Sequence, residues 1–148
     1  MGQLKRQLEL KSSAEKVYDI YRNKCFVFEK IMPLVFPKVE LVSGQWNCVG
    51  SQRLWTFFDV NCGIWKDTVE AIDNEKKSIT WTLLDGPVPK ARYESLKVEY
   101  QFTAKGQGCT ATAVLTFEKK SNDFPDPVKY MDFIHAMFLV VDAHHLAQ

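Results

Sequence analysis

The first ten residues alternate between apolar and polar side chains. Leucines recur roughly on one face of an extended chain, with glutamine, lysine, arginine and glutamate between them, so Gln3–Leu10 is predicted to form a β-strand. A Ser12-x-x-Glu15 spacing follows, which is typical of a helix whose N-terminus is capped by Ser12. We therefore expect a strand that leads directly into a helix.

Two short stretches with helical spacing come next. Val17, Ile20 and Tyr21 recur at the three- to four-residue spacing of one helix face. A second apolar stretch, Phe26–Met32, stops at Pro33, which cannot continue a helix because it lacks a backbone N–H. Two short helices are therefore predicted after the first strand.

From residue 39 onward the apolar side chains recur with a period of two, which is typical of β-strands. Short separators rich in Gly, Asn, Asp and Lys divide this region and favour hairpins between antiparallel neighbours; Asp85-Gly86-Pro87 is one of these turns. The six predicted strands are Val39–Val42, Arg53–Phe57, Lys66–Asp73, Ser78–Leu84, Tyr93–Thr103 and Thr110–Glu118.

The last segment has the pattern of a long helix. Asp126-Pro127 places a capping residue before the residue best tolerated at the first helical position. Beyond it, Tyr130, Ile134, Met137 and Val141 form one apolar row. One broad face of this helix is therefore expected to be buried.

The order of these elements, strand, two helices, six strands and helix, indicates an α+β organisation. A chain of 148 residues without linkers or repeats is long enough to bury one core, so we expect a single domain over residues 1–148. Its 10 Phe, 5 Tyr and 4 Trp residues provide more aromatic surface than a minimal core needs. This excess indicates a cavity for a small, largely apolar molecule, enclosed by the sheet and the C-terminal helix.

The charge pattern narrows the possible partners. The net charge of +1 comes from 19 basic and 18 acidic residues interspersed along the chain, so neither nucleic acid nor an anionic membrane is an expected partner. The N-terminus runs directly into polar residues, and no apolar run approaches the ~20 residues that span a bilayer. Because the 4 cysteines are scattered without a C-x-x-C pair, we expect free thiols and a cytoplasmic protein.

Several segments match the sequence pattern of one known protein family in their wording, order and spacing, and the match covers nearly the whole chain. They are Leu10–Lys16, Gly44–Trp46, Val49–Ser51, Val69–Asp73, Lys77–Thr80, Phe117–Lys119 and Pro125–Pro127. Together they resemble the plant major latex protein family, a branch of the birch-pollen-allergen superfamily with its helix-grip fold. This resemblance implies a seven-stranded curved antiparallel sheet wrapped round a long C-terminal helix, two short helices after the first strand, and a large hollow.

The resemblance implies two functions and leaves both open. Some relatives carry steroids, cytokinins, flavonoids or fatty acids, and others are cofactor-free enzymes of plant specialised metabolism. The chain is therefore expected to bind a hydrophobic plant metabolite or hormone, or to act on one as a cyclase or isomerase of a reactive iridoid or alkaloid intermediate. We expect no cofactor, and a monomer or weak dimer.

Matching the strands to the family pattern and applying their side-chain alternation predicts which residues line the cavity. Ala111 and Ala113 are small residues at inward positions, so they are expected to leave space for a ligand. The predicted apolar lining is Ile20, Tyr21, Trp55, Phe57, Ile64, Ile79, Trp81, Leu83, Leu96, Val98, Phe102, Ala111, Ala113, Leu115, Phe133, Ile134, Met137 and Val141.

Three polar residues at inward positions are the candidates for catalysis. Because a buried charge is costly unless it is paired, Arg53 and Asp67 are expected to meet each other or a ligand. If Asp67 lacks a close cation, its pKa should rise and it could exchange a proton with a ligand oxygen. Tyr100 could hydrogen-bond a carbonyl or enol. One alternative is that one of the charged residues points to solvent through a bulge.

Other chemistries are disfavoured. His135, His144 and His145 lack partners at metal-ligand spacing, so no metal site is expected. The Gly44–Gly50 loop is not followed by the Gly-Lys-Ser/Thr of a phosphate-binding loop. Ribonuclease activity, sometimes claimed for this superfamily, is disfavoured by the neutral charge and the absence of a paired acid–base motif.

Overall fold

The computed structural model describes residues 1–148, and its seven strands form one antiparallel sheet in the order β1-β7-β6-β5-β4-β3-β2. The strands are β1 (Gly2–Leu10), β2 (Lys38–Ser43), β3 (Gln52–Thr56), β4 (Ile64–Asp73), β5 (Ser78–Asp85), β6 (Tyr93–Lys105) and β7 (Gly108–Lys119). The helices are α1 (Ala14–Asn23), α2 (Phe28–Ile31), α3 (Pro87–Arg92) and α4 (Val128–Leu146), with a 3₁₀ turn at Cys25–Val27. The predicted α+β helix-grip fold is confirmed.

Side chains alternate between buried and less buried positions along the strands, as predicted, and the buried set forms the inner face of the sheet. On β7, Cys109, Ala111, Ala113, Leu115 and Phe117 are buried, and the residues between them are half-buried. Register shifts interrupt the β2–β3, β4–β5 and β6–β7 pairings, and such irregularities bend and twist strands. The sheet therefore curves around α4, with the core between them.

The junction of β1 and α1 is capped differently from the prediction. The N-cap is Ser13, whose hydroxyl accepts a hydrogen bond from Lys16 N at 3.3 Å. Ser12 is instead tied to the C-terminal helix, because its backbone N–H donates to Asp142 Oδ1 at 2.8 Å. The predicted Ser12 cap is wrong by one residue, and the serine pair both caps α1 and anchors α4.

The start of α4 also differs in detail. The helix begins at Val128 after Pro127, and no side chain caps it. The carboxylate of Asp126, predicted as the cap, instead pairs with Lys119 Nζ at 2.6 Å. Since Lys119 ends β7, this ion pair holds the start of α4 beside the sheet.

A short helix that the sequence analysis assigned to a hairpin turn lies between β5 and β6. Pro87 occupies its first turn, and Lys90 N donates to Gly86 O at 3.0 Å. A side chain at Gly63 would lie 2.7 Å from Pro87, and one at Gly86 would press on Trp65. Helix α3 therefore packs closely against the β3–β4 loop and helps to position Trp65.

No helix combines the length and the apolarity that crossing a membrane requires.

Candidate functional site

An apolar cavity of about 80 Å³ lies between the inner face of the sheet and the helices α1 and α4. Of its 19 lining residues, 17 are hydrophobic. Fifteen of the residues selected from sequence line it. They are Arg53, Asp67, Tyr100, Tyr21, Trp55, Phe57, Ile79, Trp81, Leu83, Leu96, Val98, Leu115, Phe133, Ile134 and Met137.

Ile64 does not line the cavity, and its side chain is 51% exposed. Ile64 and Asp67 are three positions apart on β4, so strand alternation cannot point both of them inward. The structure places Asp67 inward, and Trp65, which shares its parity, lines the cavity instead. The inward placement of Ile64 is therefore wrong, and Trp65 was the residue that alternation indicated.

Ala111 and Ala113 leave no space open to the cavity. Both are fully buried, and they pair with Phe102 and Tyr100 on the neighbouring strand. Phe102 packs on the ring of Tyr21 with centroids 5.4 Å apart, so the space near the alanines is occupied by aromatic side chains. The alanines and Phe102 belong to the solid part of the core.

Ile20 and Val141 are likewise buried in the core without lining the cavity. Val141 lies near the C-terminal end of α4, where Phe138 contacts the rings of both Tyr21 and Phe102 at 5.7 Å. This aromatic packing closes that end of the interior. The cavity is therefore confined to the N-terminal half of α4.

The remaining lining residues were missed. Tyr130 belongs to the apolar row recognised on α4, so the helical spacing contained its signal. Phe36 lies in the loop before β2, and Cys25 lies in the 3₁₀ turn after α1. Neither position has a periodic pattern, so only the tertiary structure reveals them.

An ion pair forms the polar part of the cavity. Arg53 and Asp67 face each other on β3 and β4, with Arg53 Nε to Asp67 Oδ1 at 2.7 Å and Nη2 to Oδ2 at 3.1 Å. Trp55 Nε1 donates to the same Oδ2 at 3.1 Å. Arg53 Nη1 donates to Cys25 Sγ at 3.3 Å, and that thiol donates to Tyr21 O at 3.2 Å. The expectation that Arg53 and Asp67 meet each other is confirmed.

Burial and charge act in opposite directions on this network. Burial disfavours the charged guanidinium, but the adjacent Asp67 carboxylate outweighs that effect and raises the pKa of Arg53 above its ordinary value. Burial raises the pKa of the Cys25 thiol despite the nearby Arg53. Arg53 is therefore a cation, and Cys25 is a neutral thiol rather than an activated nucleophile.

Two tyrosines adjoin the ion pair. The rings of Tyr21 and Tyr100 lie 4.8 Å apart, and Tyr100 Oη accepts a hydrogen bond from Trp81 Nε1 at 3.2 Å. The buried Tyr21 hydroxyl has no hydrogen-bond partner. Burial raises the pKa of both phenols, so both hydroxyls stay protonated.

Aromatic rings make the cavity small. Phe36 contacts Trp55, Phe57 and Phe133 with centroid separations of 5.1, 5.0 and 5.7 Å. Trp65 contacts Phe57 at 5.2 Å. Small-molecule sites commonly measure about 300 to 1,000 Å³. The cavity is therefore far smaller than the large hollow that the resemblance implied.

No group of three or more His, Cys, Asp or Glu side chains is arranged to hold a metal ion, and all 4 cysteines are free thiols.

The chain matches the profile of the pathogenesis-related protein Bet v 1 family over residues 1–148. It is 30% identical to MLP-like protein 43 of Arabidopsis thaliana over 151 residues, covering all of this chain and 95% of that protein. It is 29% identical to MLP-like protein 34 of the same plant, covering 98% of this chain. The chain spans 46% of the length of MLP-like protein 34 and 45% of that of MLP-like protein 28.

Solved structures agree with these sequence matches. The crystal structure of ginseng major latex-like protein 151 from Panax ginseng superposes with a TM-score of 0.91 at 27% identity, covering 98% of this chain and 97% of that chain. Norcoclaurine synthase from Thalictrum flavum, solved in complex with dopamine and hydroxybenzaldehyde, superposes with a TM-score of 0.82 at 18% identity, covering 99% and 87%. At that identity the synthase shows a shared fold alone.

Proposed function

The chain belongs to the pathogenesis-related protein Bet v 1 family, and we propose that it binds a small hydrophobic plant metabolite or hormone in the cavity beneath α4. The observation that carries this proposal is the lining, in which 17 of 19 residues are hydrophobic. Transfer of an apolar ligand from water into such surroundings is favourable by roughly 25 cal/mol per Å² of apolar surface. The apolar wall supplies the affinity, and the few polar groups fix the orientation.

The polar network supports a binding protein more than a proton-transfer enzyme. Asp67 already accepts hydrogen bonds from Arg53 and Trp55, so the condition proposed for its action as an acid or base, the absence of a close cation, is not met. The Cys25 thiol is occupied on both sides, by Arg53 and by Tyr21 O. The groups that catalysis would recruit are therefore engaged in holding β3, β4 and the 3₁₀ turn together.

A cofactor-free cyclase or isomerase is the second candidate, in line with the Thalictrum flavum synthase that shares this fold. The observation that favours it is Tyr100, which lines the cavity and holds a hydroxyl proton that no protein group accepts. A hydroxyl in this position could hydrogen-bond a carbonyl or enol while the apolar wall restricts the conformation of the substrate.

The ligand is constrained in size by the aromatic wall. A volume of about 80 Å³ is roughly half that of a 150 Å³ apolar cavity that holds benzene, so even a compact ring system requires Phe36, Phe57 or Phe133 to change rotamer. Phe57 and Phe133 are only half-buried, so their side chains have room to move outward. We infer a ligand of one or two rings rather than a steroid.

We also propose a cytoplasmic monomer or weak dimer. The free thiols support a reducing compartment, since neither of the buried cysteines is paired in a disulfide. The near-neutral charge offers no field that would recruit nucleic acid or an anionic membrane.

A fluorescence titration tests the binding function. Three of the 4 tryptophans, Trp55, Trp65 and Trp81, line the cavity, so an occupying ring changes their emission. A titration with indane, a compact two-ring hydrocarbon, should give saturable binding. Met137→Trp fills the cavity and should abolish it, whereas Leu139→Trp on the exposed face of α4 should not. Saturation unaffected by Met137→Trp would contradict binding in this cavity.

The enzyme alternative has a separate readout. The protein is incubated with reactive dialdehyde or enol precursors. The measurement is whether the amount of product, or of one stereoisomer of it, exceeds the amount of protein added. Conversion of all the precursor by a substoichiometric amount of protein favours the enzyme, provided that Tyr100→Phe loses this activity. Product yields no greater than the protein added favour the binding protein.

A further inference from the structure

The hydrogen-bonding groups of the cavity are concentrated on one side. Arg53 binds Asp67 and contacts Cys25, and Cys25 in turn bonds to the backbone of Tyr21. The Tyr21 ring packs on that of Tyr100 at 4.8 Å. These five residues are contiguous and all line the cavity, and we refer to them as the polar side.

Arg53 retains donors that the protein does not use. A guanidinium carries five N–H groups. Nε and Nη2 donate to Asp67, and Nη1 donates to Cys25, which accounts for three of them. One N–H on each terminal nitrogen is therefore without a protein acceptor, although the side chain is only 2% exposed.

The two tyrosines add further spare donors. The Tyr21 hydroxyl is buried, with 3% of the residue exposed, and makes no hydrogen bond. Tyr100 Oη accepts from Trp81 but donates to no protein atom. A buried polar group without a partner is unfavourable, because it has lost its hydrogen bonds to water without replacement. Donors are thus in excess on this side, and an acceptor is what the cavity lacks.

We propose that the polar side binds a single neutral oxygen acceptor, such as a ketone, aldehyde or ether oxygen, carried at one edge of an otherwise apolar one- or two-ring ligand. This inference rests on the proposed binding function and specifies its ligand class. The hydroxyl of Tyr21 is the donor that the ligand oxygen satisfies first, because it has no other partner. The spare donors of Tyr100 and Arg53 stand on the same side.

The acceptor is neutral because the charges of the site are already balanced. Asp67 lies 2.7 Å from Arg53, so the pair has no net charge. A ligand carboxylate would place a second anion beside Asp67 in a desolvated site with a single cation, which is strongly unfavourable. Both phenols remain protonated donors, since burial raises their pKa values.

Three probes of matched shape test the inference: indane, 1-indanone and indane-1-carboxylate. Binding of each is measured by tryptophan fluorescence and confirmed by calorimetry at pH 7. We expect 1-indanone to bind about fivefold or more tighter than indane, as one additional hydrogen bond to an unsatisfied donor predicts. The carboxylate should bind more weakly than the ketone.

Two variants assign the preference to its donor. Tyr21→Phe should remove most of the ketone preference, measured as the ratio of the affinities for 1-indanone and indane. Tyr18→Phe is the matched control, because Tyr18 lies on the same helix and does not line the cavity. It should keep the preference. Retained preference in Tyr21→Phe would overturn the assignment to that hydroxyl.

The outcomes separate this inference from the binding function. Equal affinities for indane and 1-indanone would overturn the inference and leave the apolar binding function standing. A carboxylate that binds tighter than the ketone would overturn the neutral-acceptor specificity. Failure of all three probes to bind would contradict the proposed function itself, and the inference with it.

Discussion

Arg53 and Asp67 form a two-contact ion pair inside the protein, with only 2% and 5% of their surfaces exposed. They face each other on adjacent strands, so the pair joins β3 to β4 through its side chains as well as through the sheet. Trp55 from β3 donates to the same carboxylate, and Cys25 binds the guanidinium from the opposite side. The charge pair therefore joins β3, β4 and the 3₁₀ turn that carries Cys25.

Breaking this pair should be strongly destabilising. Asp67→Asn leaves the guanidinium of Arg53 buried without its counter-ion, so the free energy of unfolding should fall by about 3 kcal/mol or more in urea titrations. The double variant Arg53→Met/Asp67→Leu removes both charges and should recover most of that loss. The exposed pair of Lys97 and Glu70, 3.3 Å apart, provides the control. Glu70→Gln should change stability by less than about 1 kcal/mol.

This account is contradicted if the double variant is as unstable as Asp67→Asn. It would mean that the loss in Asp67→Asn reflects side-chain packing rather than the uncompensated charge.

The unpartnered hydroxyl of Tyr21 predicts an unusual gain in stability. Tyr21→Phe removes a buried polar atom that makes no hydrogen bond and keeps the ring that contacts Phe28, Tyr100, Phe102 and Phe138. We expect the melting temperature to rise, with a gain of about 1 kcal/mol in the free energy of unfolding. Such a stabilising change near a ligand site is common where function requires an unsatisfied group.

The comparison is Tyr18→Phe on the same helix. The Tyr18 hydroxyl donates to Asn74 Oδ1 at 2.8 Å, so its removal should lower stability by about 1 kcal/mol. Opposite signs for the two variants are the expected result. Destabilisation of Tyr21→Phe would indicate that its hydroxyl has a partner in solution.

Strand alternation accounts for both the successes and the errors of the sequence prediction. It placed Arg53 and Asp67 inward, the cost of an unpaired buried charge indicated that they meet each other or a ligand, and the register of β3 and β4 sets them directly opposite each other. The placement of Ile64 failed because it did not follow the same alternation as Asp67. Counting back from Asp67 by two residues selects Trp65, which does line the cavity.

Other features of the cavity and the fold could not be predicted from the local pattern of apolar and polar residues. Whether the space near Ala111 is open depends on Tyr21 and Phe138, which reach it from two helices distant in sequence. Phe36 lies in a loop where no period exists. Helix α3 was hidden because Gly86 and Pro87 suggest a turn, although proline also suits the first turn of a helix. The fold follows from local periodicity, whereas the cavity volume is set by contacts between elements.

Removing one ring of the aromatic wall should enlarge the cavity. Phe133 on α4 contacts Phe36 and Phe57, so Phe133→Ala deletes a ring between the helix and the sheet. The variant should bind larger neutral apolar probes, such as N-phenyl-1-naphthylamine, at least about tenfold more tightly than the parent protein. Its free energy of unfolding should fall by about 3 kcal/mol, as for other Phe→Ala changes in cores.

Phe58→Ala is the matched control, because Phe58 is 65% exposed and does not line the cavity. It should alter neither probe affinity nor stability by more than about 0.5 kcal/mol. Equal probe binding in both variants would show that the dye binds to the surface.

The carboxylate of Asp142 links the end of α4 to the β1–α1 junction and should make stability depend on pH. It accepts hydrogen bonds from the backbone N–H groups of Ser12 at 2.8 Å and Lys11 at 3.1 Å. Burial acts to raise the pKa of Asp142, but the hydrogen bonds from Ser12 and Lys11 outweigh it and lower the pKa below its ordinary value. The carboxylate is therefore stabilised by folding.

Asp142→Asn should reveal the sign of this dependence. A carboxyl with a lowered pKa in the folded state contributes stability above its unfolded pKa of about 3.9, and the contribution is lost as the pH falls through the lower folded value. At pH 7 the variant should be less stable by about 2 kcal/mol, and the difference should shrink below about pH 4. Urea titrations between pH 2 and 7 measure it.

Asp132→Asn, which alters an exposed pair with Arg6, should show a small difference at every pH, because solvent screens that pair. A gap between wild type and Asp142→Asn that persists unchanged at pH 2 would instead place the effect in packing, since protonation removes the charge from the wild-type side chain as well.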